Sequence, residues 1–354
     1  MGLDPWTVAV SRRQLLWLTA GAGMVLLAGC RGGESAAPSA GGAAAPAAAK
    51  PAGARAQGAA RYPARPIDFI VPWGAGGGAD QLARTIGSLV EKTLGVPLPV
   101  QNVPGATGAT GMAKLLAAPA DGYTLLIYIA DSHAVLVSEQ PPWKLDDLAP
   151  IVRLMKAPSF VFVRPDDARF PDWAAFERAA RERPGALKVA TLGRNSVDEL
   201  SLTFLMRHGG YQLNLVPYAN PGERYNSLLT GQVDGLYEQA GDVGQYVAGG
   251  QMRPLIIFNE ERLPAFPDVP TTRELGYNIL LPQFRGVVAR AGTDPAIIRL
   301  LAEQFEAATK TPEWARFADS QYITADSFQG PEEFAKALRD DLEVMLQIKR
   351  QFGL

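Results

Sequence analysis

A short apolar run leads directly into a glycine-rich loop at residues 67–80, which read IDFIVPWGAGGGAD. The β-branched and aromatic residues of this run predict a buried strand, and Pro72 ends it. Four glycines follow at positions 74–78, and apolar residues then recur at helical spacing over residues 82–90. A strand that enters a helix through such a loop predicts an α/β unit.

The glycines of this loop indicate an anion site. Because glycine has no Cβ and readily adopts φ > 0, the N–H groups of such a loop can converge on an oxyanion at the positive end of the helix dipole. A carboxylate or a phosphate suits this position. The structural alternative is a turn whose glycines only allow the helix to lie close to the sheet.

A dinucleotide fingerprint is another alternative, since Gly74, Gly76 and Ala79 match G-x-G-x-x-A. That fingerprint requires an acidic residue at the end of the second strand, where it binds the ribose hydroxyl. The second strand is predicted at residues 98–103, and it ends in Gln-Asn-Val without an acid. The sequence therefore favours a different anion.

The composition is that of a globular protein with little net charge. At 354 residues the chain has room for two domains with substantial cores, and 47% of its residues are hydrophobic. The formal net charge of -2 and the lack of a basic stripe argue against nucleic acid as a partner.

The N-terminus has the pattern of an export signal. Arg12 and Arg13 precede an apolar run at residues 15–27 that is too short to span a bilayer. The run ends in Leu-Ala-Gly-Cys, which resembles the lipobox of bacterial lipoproteins, with Cys30 as the lipidated residue. Residues 11–16 also resemble a twin-arginine signal. A buried thiol at a helix end is the alternative role for Cys30, the only cysteine.

These patterns divide the N-terminal part into two segments. Residues 1–30 are predicted to be a lipoprotein signal peptide, and residues 31–61, mostly Ala, Gly and Pro, a disordered tether. The mature protein is then expected to be exported, without a disulfide, and held by the lipid on Cys30 at the outer face of the cell membrane or in the periplasm.

A second glycine-rich turn follows the second predicted strand. It contains Gly105, Gly108 and Gly111 and leads into another helix. In a parallel sheet both turns would lie at the same carboxyl edge, where two amide-lined loops would face one ligand. A third strand, at residues 124–129, ends in Ala-Asp-Ser-His and places Ser132 and His133 at that edge.

Four stretches occur together in the folded part: FIVPWGAGGGAD, QNVPGATGATGMAKLLAAPADGYTLL, VPYANPGERYNSLLTGQVDG and PAFPDVPTTRELGY. In order and spacing they resemble the substrate-binding proteins of tripartite tricarboxylate transporters, the Bug family. The resemblance extends from about Tyr62 to the C-terminus. It implies an α/β, bilobed periplasmic-binding-protein fold of type II-like topology, with two mixed sheets flanked by helices and a cleft between the lobes.

The same resemblance places the lobe boundaries. The first part of lobe 1 is predicted at residues 62–160, lobe 2 at residues 161–284 and the second part of lobe 1 at residues 285–354. Prolines in PAFPDVPTTRELGY give the return to lobe 1 a rigid, extended path.

The family binds one ligand carboxylate with its first two glycine-rich loops, often through ordered water. Carried over by position, this implies contacts from Gly76, Gly77, Gly78, Asp80, Gly105, Ala106, Thr107 and Gly108. Residues at the ends of the predicted strands are further candidates for ligand contact: Trp73, Ser132, His133, Asn195, Ser196, Tyr218, Glu238, Gln239 and Arg285. Asp80 would repel an anion unless its side chain accepts from the loop, so a structural role with indirect ligand contact is expected.

The sequence departs from the family pattern at several of these positions. Arg194 and Asn195 replace its usual glycine, serine and histidine pattern, and Glu238 with Gln239 replaces Asp-Asn. Ser196 has a helix N-cap as its alternative role, and a solvated strand end is the alternative for Glu238 and Gln239. Arg285 occupies a position that is usually aromatic in the family. It either pairs bidentately with a second carboxylate of the ligand or lies in solvent.

The residue inventory argues against the common catalytic sites. His133 and His208 are the only histidines, so no zinc cluster can form without several carboxylates. Neither G-x-S-x-G nor a phosphate-binding G-x-x-x-x-G-K occurs. We therefore expect no catalysis, cofactor or metal.

The expected function is that of a monomeric solute-binding protein. It would capture a small carboxylate and deliver it to the membrane permease subunits of a tripartite tricarboxylate-type transporter. A receptor that presents its ligand to a sensor kinase would use the same pocket, and an NAD-dependent enzyme is a third alternative.

Overall fold

The computed structural model describes residues 62–324 and 326–352. The predicted signal peptide, tether and lipidated Cys30 lie outside these residues. In the described part, two five-stranded sheets form the framework of the molecule. Helices flank both sheets, and the predicted fold class is confirmed.

The first sheet is mixed. In spatial order its strands are β2 (Val100–Asn102), β1 (Asp68–Val71), β3 (Thr124–Ile129), β10 (Gln283–Arg290) and β4 (Leu148–Ala157). Strand β1 is parallel to β2 and β3, whereas β10 is antiparallel to β3 and β4. The first residues of β10 therefore lie at the carboxyl edge of β1, β2 and β3.

The second sheet repeats this arrangement. In spatial order its strands are β7 (Asn214–Pro217), β6 (Lys188–Thr191), β8 (Gly235–Gln239), β5 (Ser159–Val163) and β9 (Arg253–Phe258). Strand β6 is parallel to β7 and β8, and β5 is antiparallel to β8 and β9. The chain passes from the first sheet to the second at Pro158 and returns after β9 through residues 259–282.

Ten α-helices complete the described part of the chain. They are α1 (Gly78–Leu94), α2 (Ala109–Ala117), α3 (Ala130–Ala134), α4 (Trp173–Glu182), α5 (Val197–Gly209), α6 (Pro221–Leu229), α7 (Gly244–Ala248), α8 (Pro295–Thr309), α9 (Pro312–Ser320) and α10 (Pro331–Phe352). Short 3₁₀ turns cover Ala106–Gly108, Val135–Val137 and Leu145–Asp147.

Apolar helix faces bury both faces of each sheet. Helices α1 and α8 cover one face of the first sheet, where Phe69 packs against Phe305. Helix α10 covers the other face through residues such as Phe334 and Leu338. Helices α4 and α5 cover one face of the second sheet, and α6 covers the other. We call each sheet with its helices a lobe; the residue limits predicted for the two lobes stay a prediction.

Local sequence signals explain where several helices begin. The Asp172 side chain accepts a hydrogen bond from Ala175 N at the start of α4. The Asn220 side chain accepts from Gly222 N before α6, whose first residue is Pro221. These are favourable N-cap residues, and proline is favourable at the first helical position.

Candidate functional site

The two glycine-rich turns lie at the same edge of the first sheet, as predicted. Strands β1 and β2 are parallel neighbours, with Val71 opposite Asn102. The first turn leads from β1 into α1, and the second leads from β2 into α2. Their position makes this edge the place where a ligand would meet backbone donors.

The first turn is held in place by Asp80. Its side chain accepts hydrogen bonds from Gly76 N at 2.9 Å and from Asn102 Nδ2 at 2.9 Å. Asp80 is buried, so its carboxylate supports the loop from inside. The predicted hydrogen bond from the loop to Asp80 is confirmed, and the Gly76 amide is used internally. Gly77 and Gly78 instead line a cavity between the lobes.

The second turn contacts the opposite lobe. Gly108 N donates to Gly105 O at 3.0 Å, while Ala106 and Thr107 adopt φ values of 46° and 51°. The Thr107 hydroxyl donates to Arg194 O of the second lobe at 3.1 Å. The structure does not bring these residues to the cavity, and their contact with a ligand stays a prediction.

The cavity has polar residues of both lobes in its wall. It is lined by Trp73, Gly77, Gly78, Ala79, Ile129, Leu192, Ala219, Pro221, Arg224, Glu238, Gln239, Asp242, Gln283 and Arg285. Its volume is about 30 Å³, whereas small-molecule sites usually measure roughly 300–1,000 Å³. A water molecule fits this space and a carboxylate solute does not, so the cleft is closed.

Arg285 reaches into this cleft from the first residues of β10. Its Nη1 donates to Asp242 Oδ1 at 2.9 Å, and its Nη2 donates to Asp242 Oδ2 and, at 3.0 Å, to Gln239 Oε1. Arg285 is 3% exposed and Asp242 5%. The predicted bidentate geometry is therefore present, but the carboxylate belongs to the protein.

Asp242 lies directly against the start of α1. A Cβ added to Gly78 would overlap the two Asp242 carboxylate oxygens and Arg285 Nη1. Only glycine leaves room for this contact. The carboxylate thus lies where the positive end of the helix dipole favours an anion.

A second buried ion pair joins Arg224 of α6 and Glu238 of β8. Arg224 Nη2 donates to Glu238 Oε2, and both side chains are 4% exposed. Arg224 Nε and Nη1 are buried and have no hydrogen-bond partner in the described structure. Burial raises the pKa of Glu238 to about 7, against the opposing effect of the Arg224 charge. Glu238 and Gln239 are buried, which contradicts the solvated alternative.

Gln283 links β10 to α3 beside the cavity. Its side chain accepts from Ala130 N at 2.9 Å and donates to Asp131 Oδ2 at 2.5 Å. Asp131 Oδ1 accepts from Val197 N of the second lobe at 2.9 Å. Burial raises the pKa of Asp131, and burial together with the Asp131 charge raises the pKa of Asp198 well above its usual range. Several buried carboxyl groups therefore surround the closed cleft.

Ser132 and His133 lie behind this edge and do not line the cavity. The His133 ring is fully buried between Tyr128 and Phe284, and its Nδ1 lies 3.1 Å from the Tyr128 hydroxyl. Burial lowers the pKa of His133 to about 4, so this side chain is neutral at pH 7. Ser132 Oγ lies 2.8 Å from the place that a Cβ on Gly108 would occupy.

Ser196 and Asn195 form the start of α5. The Ser196 side chain accepts from Glu199 N at 3.2 Å, so the N-cap role is confirmed. Asn195 has φ 56°, and its N–H donates to Glu199 Oε2 at 2.6 Å. Tyr218 is half-buried at the edge of the α6 core and does not line the cavity. A ligand contact by these three residues stays a prediction.

The described residues contain neither a cluster of metal ligands nor a membrane-spanning helix. No group of three or more His, Cys, Asp or Glu side chains within residues 62–324 and 326–352 is arranged to hold a metal ion. In that same part of the chain, no helix has both the length and the apolar character needed to span a bilayer.

Comparison with known families agrees with this fold and cleft. The family described as Tripartite tricarboxylate transporter family receptor (TctC) matches residues 82–348. The chain belongs to this receptor family. Its relatives include BugT of Bordetella pertussis, which is 35% identical over 246 residues, covering 68% of this chain and 75% of BugT.

Proteins of known structure share the fold. MatC from Rhodopseudomonas palustris, solved with bound malate, is 25% identical, has a TM-score of 0.75 and covers 81% of this chain and 99% of its own. The periplasmic binding protein BugD is 24% identical with a TM-score of 0.77, covering 82% of this chain and 99% of its own. The latter comparison supports the fold alone.

Three polar cavity-lining residues of this TctC receptor, Arg224, Asp242 and Gln283, were missed from the sequence. Arg224 lies on the buried stripe of α6 with Pro221 and Leu228, and the spacing 221–224–228 is the signal that could have identified it. Asp242 follows β8 in a turn of irregular structure. Its approach to Gly78 depends on how the two lobes meet, so no local pattern indicates it.

Proposed function

We propose that this receptor is an exported, lipid-anchored solute-binding protein that closes its lobes over a small carboxylate and delivers it to the permease of a tripartite tricarboxylate-type transporter. The observation that supports a carboxylate most directly is the cleft itself. Arg285 and the start of α1 already hold one carboxylate group, that of Asp242. A ligand carboxylate has the same charge and the same pair of acceptor oxygens.

Arg224 supports a further acceptor group on the ligand. Its Nε and Nη1 are buried without a partner among the described residues, and the side chain lines the cavity. An unpaired buried guanidinium donor is costly, and a ligand oxygen would relieve that cost. MatC, which shares the fold, was solved with malate. Catalysis is not part of the proposal.

The proposal of a lipid anchor is supported by the N-terminal sequence alone. Leu-Ala-Gly-Cys at residues 27–30 has the pattern of a lipobox, and the Ala, Gly and Pro of residues 31–61 suit a tether. An anchored receptor would remain close to its permease.

A thermal-shift screen tests the ligand class. At least one of malate, adipate, citrate, benzoate and glutamate should raise the melting temperature, because a ligand present at 100 times its Kd stabilises the folded state by about 2.7 kcal/mol. Shifts with glucose or neutral peptides alone would overturn the proposal.

For a carboxylate that binds, Arg224→Met should weaken affinity at least about tenfold in calorimetry, since a charge-assisted hydrogen bond is worth about 1.5–3 kcal/mol. Arg262→Met is the matched control, because Arg262 pairs with Glu274 in an exposed bridge.

A further inference from the structure

Asp242 connects the two lobes across the closed cleft. It follows β8 of the second lobe, whereas Arg285 belongs to β10 and Gly78 to α1 of the first lobe. The adjacent Gly241 O accepts from Gln321 Nε2 of the first lobe at 3.2 Å. A Cβ on Gly241 would come within 2.5 Å of Gln321 Cα, so this turn is in close contact with the opposite lobe.

The donors that Asp242 uses are those that a bound anion needs. Arg285 Nη1 and Nη2 both point at the Asp242 carboxylate, and the start of the 17-residue helix α1 lies against it. The remaining Arg285 nitrogen, Nε, is buried. A ligand carboxylate cannot obtain bidentate pairing from Arg285 while Asp242 is in place.

We propose that Asp242 is a built-in competitor of the ligand: its carboxylate occupies the anion site formed by Arg285 and the start of α1, and a solute binds by displacing it from Arg285 and Gly78. The inference rests on the proposed carboxylate-binding function. It makes Asp242 a determinant of affinity and specificity, because a solute needs an anionic group, such as an ionised carboxylate, to replace the charge that Asp242 withdraws.

The Asp242–Arg285 pair also accounts for a closed cleft whose cavity measures about 30 Å³. The Asp242–Arg285 pair supplies a cross-cleft attraction that a ligand would otherwise provide. Loss of the pair removes this attraction, and the lobes of the unliganded receptor should then separate.

Two variants of the full chain test the inference. Asp242→Asn removes the charge at nearly constant size, and Asp242→Ala removes the side chain. Calorimetry with malate, adipate, citrate and benzoate should show at least about tenfold tighter binding by both variants, which corresponds to about 1.4 kcal/mol. Small-angle scattering should show a larger radius of gyration for the unliganded variants. Asp268→Asn, at an exposed second-lobe carboxylate outside this cavity, is the matched control.

Stability is measured in parallel, because Arg285 loses its partner in both variants. The melting temperature without ligand should fall, and the increase caused by saturating ligand should exceed that of the unchanged protein. Equal or weaker carboxylate binding by both variants, with binding by the unchanged protein intact, overturns the inference alone. If no carboxylate binds the unchanged protein or either variant, the proposed function fails and the inference fails with it.

Discussion

Glu238 is buried, and only one of its two carboxylate oxygens has a charged partner. Its Oε2 accepts from Arg224 and its Oε1 from Gln239 N at 3.0 Å, while the Asp242 charge raises its pKa further. The resulting pKa of about 7 lies above the ordinary value of 4.5. Between these values the folded protein retains a proton that the unfolded chain releases.

The effect of Glu238 on the free energy of unfolding has a definite sign. As pH rises from about 4.5 to about 7, this carboxyl should lower the free energy of unfolding, by at most about 1.4 kcal/mol per pH unit. Urea unfolding at pH 5, 6, 7 and 8 should therefore show a weaker decline for Glu238→Gln than for the unchanged protein. Other carboxyls with raised pKa values, such as Asp131 and Asp341, are present in both proteins. Parallel curves would contradict the expectation.

Single site residues could be predicted where they are polar and lie at the end of a predicted strand. Glu238, Gln239 and Arg285 lie at the edges of β8 and β10, and the structure brings all three to the cavity. Arg224 and Asp242 were not predicted. The position of Arg224 depends on which face of α6 is buried, and that of Asp242 depends on contact between lobes that are distant in sequence.

At the scale of elements, the junction between β1 and α1 requires glycine at position 78, because no space is left for a Cβ there. Asp242 and Arg285 occupy the space that a side chain would need there. By contrast, Gly87 lies in the middle of α1, and a Cβ there would meet Phe69 Cδ1 at an ordinary 3.6 Å. The same helix thus contains a position that excludes alanine and one that accepts it.

Alanine at these two positions should have opposite effects. Gly78→Ala should displace the Asp242–Arg285 pair and weaken carboxylate binding at least about tenfold in calorimetry, because the ligand anion would meet the same Cβ. Gly87→Ala should leave binding unchanged and raise the free energy of unfolding by up to about 1 kcal/mol, since alanine is the better helix former. In a protein that already carries Asp242→Ala, unchanged ligand affinity on addition of Gly78→Ala would show that the anion lies elsewhere.

Local patterns predicted the first strands of the chain. Strand β3 was predicted at its observed limits, residues 124–129, and β2 was predicted at residues 98–103, within two residues of Val100–Asn102. Strand β4 was missed. It contains Pro150 and lies at the edge of the first sheet, where proline is tolerated and the strand pattern is weak. Its place beside β10 depends on the return of the chain from the second lobe.

At the scale of the whole molecule, close contacts join the lobes around the cleft. Thr107 donates to Arg194 O, and Asp131 accepts from Val197 N. A Cβ on Gly77 would lie 2.8 Å from Pro221 Cγ, so the first loop and α6 fit together without space between them. Family resemblance predicted two lobes and a cleft. The degree of closure could not be read from the sequence, because it results from contacts between residues far apart in the chain.

The small cavity has a consequence for the speed of capture. Since a solute cannot enter a space of about 30 Å³, it has to wait for the lobes to separate, a motion that usually takes microseconds to milliseconds. In stopped-flow mixing, followed by tryptophan fluorescence, to which the cavity-lining Trp73 contributes, the observed rate constant should level off as ligand concentration increases. A rate constant that stays proportional to concentration would contradict this gating. The plateau value is the rate constant of lobe opening. This rate sets an upper limit on the speed of capture, and it is the same at low and at high concentrations of the solute.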